Sequence, residues 1–338
     1  MNSKSNLAPP LRWGLISTAR INRALIKPLR ASERNELVAV ASRSLEKAQN
    51  YAAEWEIPQA YGSYQAMLDD PEIDVVYNSL PNHLHTEWTV KALRAGKHVL
   101  CEKPLAISLE EVDAMALAVE ETGNVLAEAF MYRHHPQTIK VKELVDSGVL
   151  GDVRVIKGAF TFTLTNPGDV RLNPEMGGGS IWDVGCYPIS FARYILSGEP
   201  LEAFGWQVTG ESGIDEVFTG QLRFQDEIVV QFDCGFRSPF RARMVVIGSE
   251  ATLVVPNPFR PGIDDEMRIV KEDEVQRIKT PGQELYIGEV EDMTDVILKG
   301  TPPRISLDDS RNNVAAILAL LRSAQENRPV EMAWRKYH

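Results

Sequence analysis

Over the first part of the chain, short β-branched and apolar runs alternate with longer amphipathic stretches. Leu11–Ile16, Leu37–Ala41, Val75–Ser79, His98–Cys101 and Val125–Ala129 read as strands, and the segments between them as helices. One such helix, Leu84–Leu93, sets Leu84, Trp88 and Leu93 near one face, and Gly96 follows as a stop signal. Repeats of this kind predict a parallel sheet in a doubly wound α/β domain.

Beyond about Arg133 the period changes. Phe160–Leu164 and Ile228–Cys234 alternate strictly and Met244–Ile247 adds another run, so antiparallel strands with one buried face are predicted. Gln225-Asp226-Glu227 and Gly248-Ser249 are turn candidates between them. Two helices are predicted near the end of the chain. The last opens at Ser306 with Asp309 three residues on, a capping-box signature, and continues with Val314, Ile317, Leu318 and Leu321 as a core stripe.

Composition narrows the classes. With 338 residues, 44% hydrophobic and 25% charged, the chain has room for about two domains. No apolar run approaches the ~18 residues that span a bilayer, and the polar stretch Met1 to Pro10 lacks the apolar core of a secretory leader. Cys101, Cys186 and Cys234 stand far apart and suggest neither a disulfide framework nor a zinc pattern, which predicts a reducing, cytoplasmic setting. An excess of 47 carboxylates over 36 Lys and Arg, net charge -11, argues against nucleic acid as a partner. A local basic pocket for one phosphate group is compatible with that sum.

The first strand runs into Ser17-Thr18-Ala19-Arg20-Ile21-Asn22, where a dinucleotide-binding domain has its phosphate loop. A Gly-x-Gly-x-x-Gly pattern would fall on Ser17, Ala19 and Asn22, so all three glycines are replaced; small side chains at the first two still admit a pyrophosphate. An ordinary strand-to-helix turn is the alternative for this segment. After the second strand stands Ala41-Ser42-Arg43-Ser44, with no acid for the ribose hydroxyls; the Arg43 fork favours a 2′-phosphate, hence NADP over NAD.

Three further motifs carry a resemblance. Pro81-Asn82-His83-Leu84-His85, Glu102-Lys103-Pro104 and the run from Gly177 through Trp182, Asp183 and Gly185 to Tyr187 resemble the glucose-fructose oxidoreductase / inositol dehydrogenase / MocA family, over about Leu11 to Glu331. The resemblance implies an N-terminal Rossmann dinucleotide-binding domain and a C-terminal α/β domain with a large open, mostly antiparallel sheet. The expected division is a disordered tail over residues 1–10, the Rossmann domain over 11–131, and a substrate-binding and oligomerisation domain over 132–338. The terminal helices of the second domain are placed to pack back on the first.

By the same resemblance Lys103 is the catalytic lysine, followed by a proline bond that is often cis in the family, and Asp183 and Tyr187 complete the catalytic set. Tyrosine at 187, where inositol-type members have histidine, points to the aldose (xylose) dehydrogenase and dihydrodiol dehydrogenase branch. The expected cofactor contacts are Ser17, Thr18, Ala19, Arg20, Ile21, Ser42, Arg43, Asn82, His85, Glu102, Lys103 and Trp182. Substrate would be met by Arg133, Asp183 and Tyr187. Trp182 either packs on the nicotinamide or fills core, and His85 begins a helix near the cofactor.

Chemically, hydride removal from a carbinol leaves a proton, and Tyr and Lys are both too basic to take it unless tuned. An ammonium at Lys103 is expected to favour the phenolate of Tyr187. Asp183 and Tyr187, four apart, share a helix face unless the helix starts only at Pro188. His134 and His135 lack a carboxylate or cysteine at ligand spacing, so no metal is expected. The expected activity is hydride transfer between NADP(H) and a carbinol or carbonyl carbon of a monosaccharide or small diol, with aldose 1-dehydrogenase leading. The alternatives are trans-dihydrodiol dehydrogenase and a dicarbonyl-sugar reductase of the anhydrofructose type. A cofactor-binding regulator on the same fold would need neither the lysine nor the tyrosine. The family's exposed sheet implies a dimer or dimer of dimers.

Overall fold

The structure, a computed structural model, describes residues 9–334. The first eight of the ten residues expected as a tail lie outside the described residues. In chain order the elements are β1 (Leu11–Ile16), α1 (Asn22–Ala31), β2 (Asn35–Ala41), α2 (Leu45–Glu54), β3 (Gln59–Tyr61), α3 (Tyr64–Leu68), β4 (Val75–Asn78), α4 (His85–Arg94), β5 (His98–Glu102), α5 (Leu109–Thr122), β6 (Leu126–Ala129) and α6 (Pro136–Asp146). There follow β7 (Val153–Thr163), α7 (Cys186–Leu196), β8 (Glu202–Thr209), β9 (Asp215–Arg223), β10 (Val229–Gly235), β11 (Arg237–Gly248), β12 (Thr252–Val255), β13 (Glu266–Lys271), β14 (Glu274–Lys279), α8 (Ile287–Lys299), α9 (Leu307–Glu326) and β15 (Val330–Glu331).

The first six strands form one parallel sheet in the order β3-β2-β1-β4-β5-β6. The order reverses between β1 and β4, and a ligand crevice lies outside the strand C-termini at such a switch point. Residues of β1 and β4 face both layers, with Trp13, Leu15, Val75 and Tyr77 fully buried, so these strands read as near-continuous apolar runs. β3 is too short for periodicity to reveal.

α4 turns a different face inward than the apolar pattern predicts. His85, Thr89, Ala92 and Leu93 are buried, whereas Leu84 and Trp88 are half-buried, Trp88 lying edge-on to Tyr64. Polar residues can take the inward stripe because each finds a partner; Thr89 Oγ1, for example, accepts from Asn78 Nδ2 at 3.1 Å.

The second sheet has nine strands in the order β14-β13-β12-β11-β7-β10-β9-β8-β15. It is antiparallel with one exception: β7 and β10, which contain the two most regular alternating runs, pair in parallel, Phe160 beside Cys234. The long connection between them, including α7, lets the chain return in the same direction, which a hairpin cannot do. α7 and α9 cover one face.

α9 begins as predicted at Ser306, whose Oγ accepts from the Asp309 N–H at 3.1 Å. The reciprocal half of the box does not form, because the Asp309 carboxylate lies between the Arg133 and Arg193 guanidinium groups, each at 2.9 Å. Val314 and Ile317 are core residues as expected; Leu320 joins them, and Leu318 and Leu321 are half-buried. α8 lies on α1, where Val290 and Met293 enter the cluster of Leu25, Ile26 and Leu29, and Asn35 Nδ2 donates to Thr294 Oγ1 at 2.9 Å. No described helix is long and apolar enough to cross a membrane.

Candidate active site

β1 ends in a turn that replaces the usual glycines with a polar brace. Ser17 takes φ +90, a conformation glycine adopts more readily, and is held there by its own oxygens. Its Oγ accepts from the Ala19 N–H at 3.1 Å and pairs with Ser79 Oγ at 3.0 Å, while its carbonyl accepts from Asn22 Nδ2 at 2.8 Å. Asn22, fully buried, stands where the third glycine would let helix and sheet approach, and takes a hydrogen bond from Ser79 Oγ at 2.6 Å. Among the described residues the backbone N–H groups of Thr18, Arg20 and Ile21 donate to no protein acceptor, so the N-terminal end of α1 offers free donors to an anion. These residues fit a dinucleotide pyrophosphate. At the end of β2, Ser42 is buried and Arg43 exposed, its guanidinium facing the Tyr64 hydroxyl; Ser44 instead caps α2 through the Lys47 N–H.

At the C-terminal end of β5, Glu102 accepts from the Tyr77 hydroxyl and, at 3.2 Å, from the Lys103 N–H. The Lys103–Pro104 bond is cis. His85 is not placed to touch a cofactor. It is fully buried, with Nδ1 2.9 Å from the Pro104 carbonyl and Nε2 2.8 Å from that of Leu80, so it braces the loop carrying Lys103. Asn82 is half-buried, its Nδ2 donating to the Gly177 carbonyl at 2.9 Å.

The glycine-rich turn leads into a helix. Ile181–Gly185 is wound as a π turn that runs straight on into α7, so helix does not wait for Pro188, which sits in its first turn. Pro188 has no N–H, and the Asp183 carbonyl five residues earlier therefore lacks the donor a π ladder would supply. Lys103 Nζ takes that carbonyl at 2.6 Å and the Asp183 Oδ1 at 2.9 Å. It also lies 5.2 Å from the centre of the Tyr187 ring, which brings the three expected catalytic residues together.

Their electrostatics differ from expectation in one respect. The Lys103 ammonium is matched by Asp183, and the Tyr187 hydroxyl points instead to Met131 Sδ at 3.6 Å. Burial among Phe130, Tyr132, Phe160 and Phe259 drives the Tyr187 phenol well above its ordinary pKa, so the site as it stands keeps the phenol neutral rather than favouring phenolate. Burial opposes the Lys103 charge, but Asp183, then Cys186 and Glu102, outweigh it and raise its proton affinity. Burial also pushes the Asp183 carboxyl up; Lys103 and Arg171 on either side overcome this and hold it below the usual carboxylate range.

Arg133 departs most from its expected role. It is 3% exposed, bonded to Asp309 at 2.9 Å and Ser190 Oγ at 3.1 Å, and stacked over Tyr194, so it ties helices together and cannot reach a substrate. Trp182 is buried in the core cluster. His134 is buried, its pKa pushed down to about 3 by desolvation, and among the described residues no cluster of metal-ligating side chains occurs.

Sequence reasoning missed Arg171, whose Nε donates to Asp183 Oδ2 at 2.8 Å, and Asp169, which holds Arg171 in turn. It also missed Asp215, which accepts from Ser180 Oγ and the Ile181 N–H, both at 2.7 Å, and so caps the helix bearing Asp183. The alternating charges of Asp169-Val170-Arg171 just before the glycine turn were the available signal for the first two.

A Rossmann sheet with free amides at its first helix, opening on a lysine, aspartate and tyrosine presented from a second sheet, defines a dinucleotide-dependent oxidoreductase. Residues 11–130 match the oxidoreductase family with an NAD-binding Rossmann fold, and residues 138–254 match the GFO/IDH/MocA C-terminal domain. The chain therefore belongs to the GFO/IDH/MocA family. It is 35% identical to a D-xylose 1-dehydrogenase (NADP(+)) of Haloferax volcanii over 95% of this chain and 100% of that one. It is also 34% identical to a trans-1,2-dihydrobenzene-1,2-diol dehydrogenase of Danio rerio, over 73% of this chain and 74% of the relative. The crystal structure of KijD10, a 3-ketoreductase from Actinomadura kijaniata, in complex with NADP and TDP-benzene, superposes with a TM-score of 0.88 at 28% identity, covering 93% and 98% of the two chains.

Proposed function

We propose that this protein transfers hydride between NADP(H) and a carbinol or carbonyl carbon of a monosaccharide or small diol, with oxidation of an aldose at C1 as its leading reaction. The observation that carries the proposal is the Lys103 ammonium, held by Asp183 and seated over the Tyr187 ring at the open end of the Rossmann sheet. Relatives that act on xylose and on a diol support the substrate class. The 2′-phosphate preference rests on Arg43 in place of an acid, and on the NADP named for two relatives.

NADP, when bound, supplies the hydride acceptor and a positive ring beside the substrate. The chain's residues do the rest. Free amides of Thr18, Arg20 and Ile21 take the pyrophosphate, Asp183 orients the reacting hydroxyl, and Lys103, once it has released its own proton to solvent, accepts that of the hydroxyl, with the neutral Tyr187 phenol beside it as the second proton-carrying group. Phe160 and Phe259, stacked on each other and packed against the Tyr187 ring, fix that ring in place. We place the enzyme in the cytoplasm, as a homo-oligomer in which a second copy covers the outer face of the second sheet, where Trp206 stands 62% exposed. Sedimentation analysis tests the assembly.

For the activity, the protein is mixed with NADP and a panel of aldoses and diols, and absorbance of the reduced cofactor is followed. Turnover of at least one, abolished by Lys103→Met with NADP affinity kept within about tenfold, is the expected result. Full activity in Lys103→Met would remove the lysine from the mechanism.

A further inference from the structure

Asp183 has two carboxylate oxygens, and the structure assigns each to a different cation: Oδ1 to Lys103 at 2.9 Å, Oδ2 to Arg171 Nε at 2.8 Å. Arg171 does not reach Asp183 by chance of a long side chain. Its backbone carbonyl accepts from the Gly179 N–H at 3.0 Å, Asn173 O accepts from Gly178 at 2.9 Å, and Gly179 O accepts from Asp183 itself at 3.1 Å. A Cβ at position 178 would lie 2.5 Å from the Arg171 carbonyl oxygen, so the loop closes this tightly only over glycine. Asp169 fixes the other end, its carboxylate accepting from both the Arg171 N–H at 3.0 Å and Nη1 at 3.2 Å.

We propose that Arg171 is a positioning residue that competes with Lys103 for Asp183 and thereby sets the pH at which the lysine can give up or accept a proton. One negative charge is shared between two cations. Without Arg171 the carboxylate would serve the ammonium alone, and a positive neighbour that disfavours protonation of the lysine would be gone. The other groups facing Lys103 are Glu102 at the end of its own strand, Cys186 and the Tyr187 ring from α7, and His85 from α4. None of them is bonded to Arg171, so a change at 171 reaches the lysine through Asp183 and through the loss of the positive charge itself. The effect on turnover rests on the proposed sugar chemistry; the effect on the lysine does not.

The test uses Arg171→Met and Arg171→Lys in the full chain. The amine of Lys103 is titrated by competitive acetylation with acetic anhydride across a pH series, its peptide being read by mass spectrometry. In Arg171→Met the labelling midpoint moves up by about one pH unit, the order expected when one nearby charge is removed from a partly solvated site. In Arg171→Lys, which keeps the charge, it stays within about 0.3 of wild type. Where the aldose assay gives turnover, the alkaline limb of kcat/KM moves by the same amount, a displacement that mere loosening of the loop would not produce. If no substrate in the panel turns over, the sugar reading fails while the labelling still decides the role of Arg171. Arg171→Gln, which retains an amide donor without the charge, takes the place of Met if that variant does not fold. A midpoint that is unchanged or lowered in a folded neutral variant overturns the proposal, as does a Lys variant that shifts as far as Met.

Discussion

Replacing Asp183 by Asn removes the carboxylate that Lys103 and Arg171 share and leaves two cations facing a neutral amide. Opposite charges about 4 Å apart interact by about 4 kcal/mol at an effective dielectric near 20. At ~1.36 kcal/mol per unit this corresponds to about three pH units in the lysine. The side chains of Lys103 and Asp183 are 13% and 15% exposed, so little of the interaction is screened. Allowing for the dipole of the amide, a fall of about two pH units is the working figure. The lysine should then label with acetic anhydride at far lower pH than in wild type, a displacement opposite in sign to that of Arg171→Met. A buried ammonium left without its carboxylate, beside an exposed guanidinium, should also lower stability in urea denaturation, by roughly 1–3 kcal/mol. A labelling midpoint that stays in place or rises would show that Asp183 is not what keeps the ammonium charged.

Three other sites give independent checks. Burial raises the Asp215 carboxyl to about 6 against its bonds from Ser180 and Ile181. The stability it contributes is complete below its unfolded value of about 4 and is lost as pH rises through 6, about 3 kcal/mol in all. Asp215→Asn should therefore flatten the urea stability profile between about pH 4 and 6, and an equally steep profile would refute the assignment. Arg43→Glu should raise KM for NADP by about tenfold or more while lowering that for NAD, since it exchanges a charge-assisted partner for a like charge; an unchanged KM ratio counts against a 2′-phosphate at this position. Gly178→Ala forces a Cβ into the Arg171 and Asn173 carbonyls, at 2.5 and 2.7 Å. It should cost about 1–3 kcal/mol in thermal or urea unfolding and lower kcat together, whereas a variant with wild-type values would show that the loop has slack.

The Rossmann half was legible because its strands are buried on both faces, and near-continuous apolar runs such as Leu11–Ile16 and Val75–Asn78 leave little choice of element. Lys103, Asp183 and Tyr187 were singled out for a different reason: they stand in short motifs that resemble those of the family, and the structure brings the three together. Strand direction in the second sheet was not legible, since alternation fixes which side chains face the core but not which way a neighbouring strand runs, and β7 with β10 is the case in point. Arg133 misled because charge near a cleft looks the same in sequence whether it faces solvent or, as here, a half-buried aspartate 176 positions later in the chain. Arg171 was hidden in a loop of polar residues, where only the fold shows which carboxylate it meets.

The same contacts explain why the site needs both sheets. Asp215 at the start of β9 caps the π turn, the turn presents Asp183, and Asp183 receives Lys103 from the end of β5, so a strand of the second sheet positions the lysine of the first. Asn82, in the loop after β4, reaches across to the Gly177 carbonyl and holds the glycine turn against the cofactor side. Neither half supplies a complete set: the first carries the amides and the lysine, the second the carboxylate and the phenol. Hydride transfer demands the reacting carbon and the acceptor ring in contact, about 3–3.5 Å apart. A hinge free to open widely would separate Lys103 from Asp183 by breaking two hydrogen bonds in a site almost closed to water, so the same contacts that assemble the site also hold the two halves together.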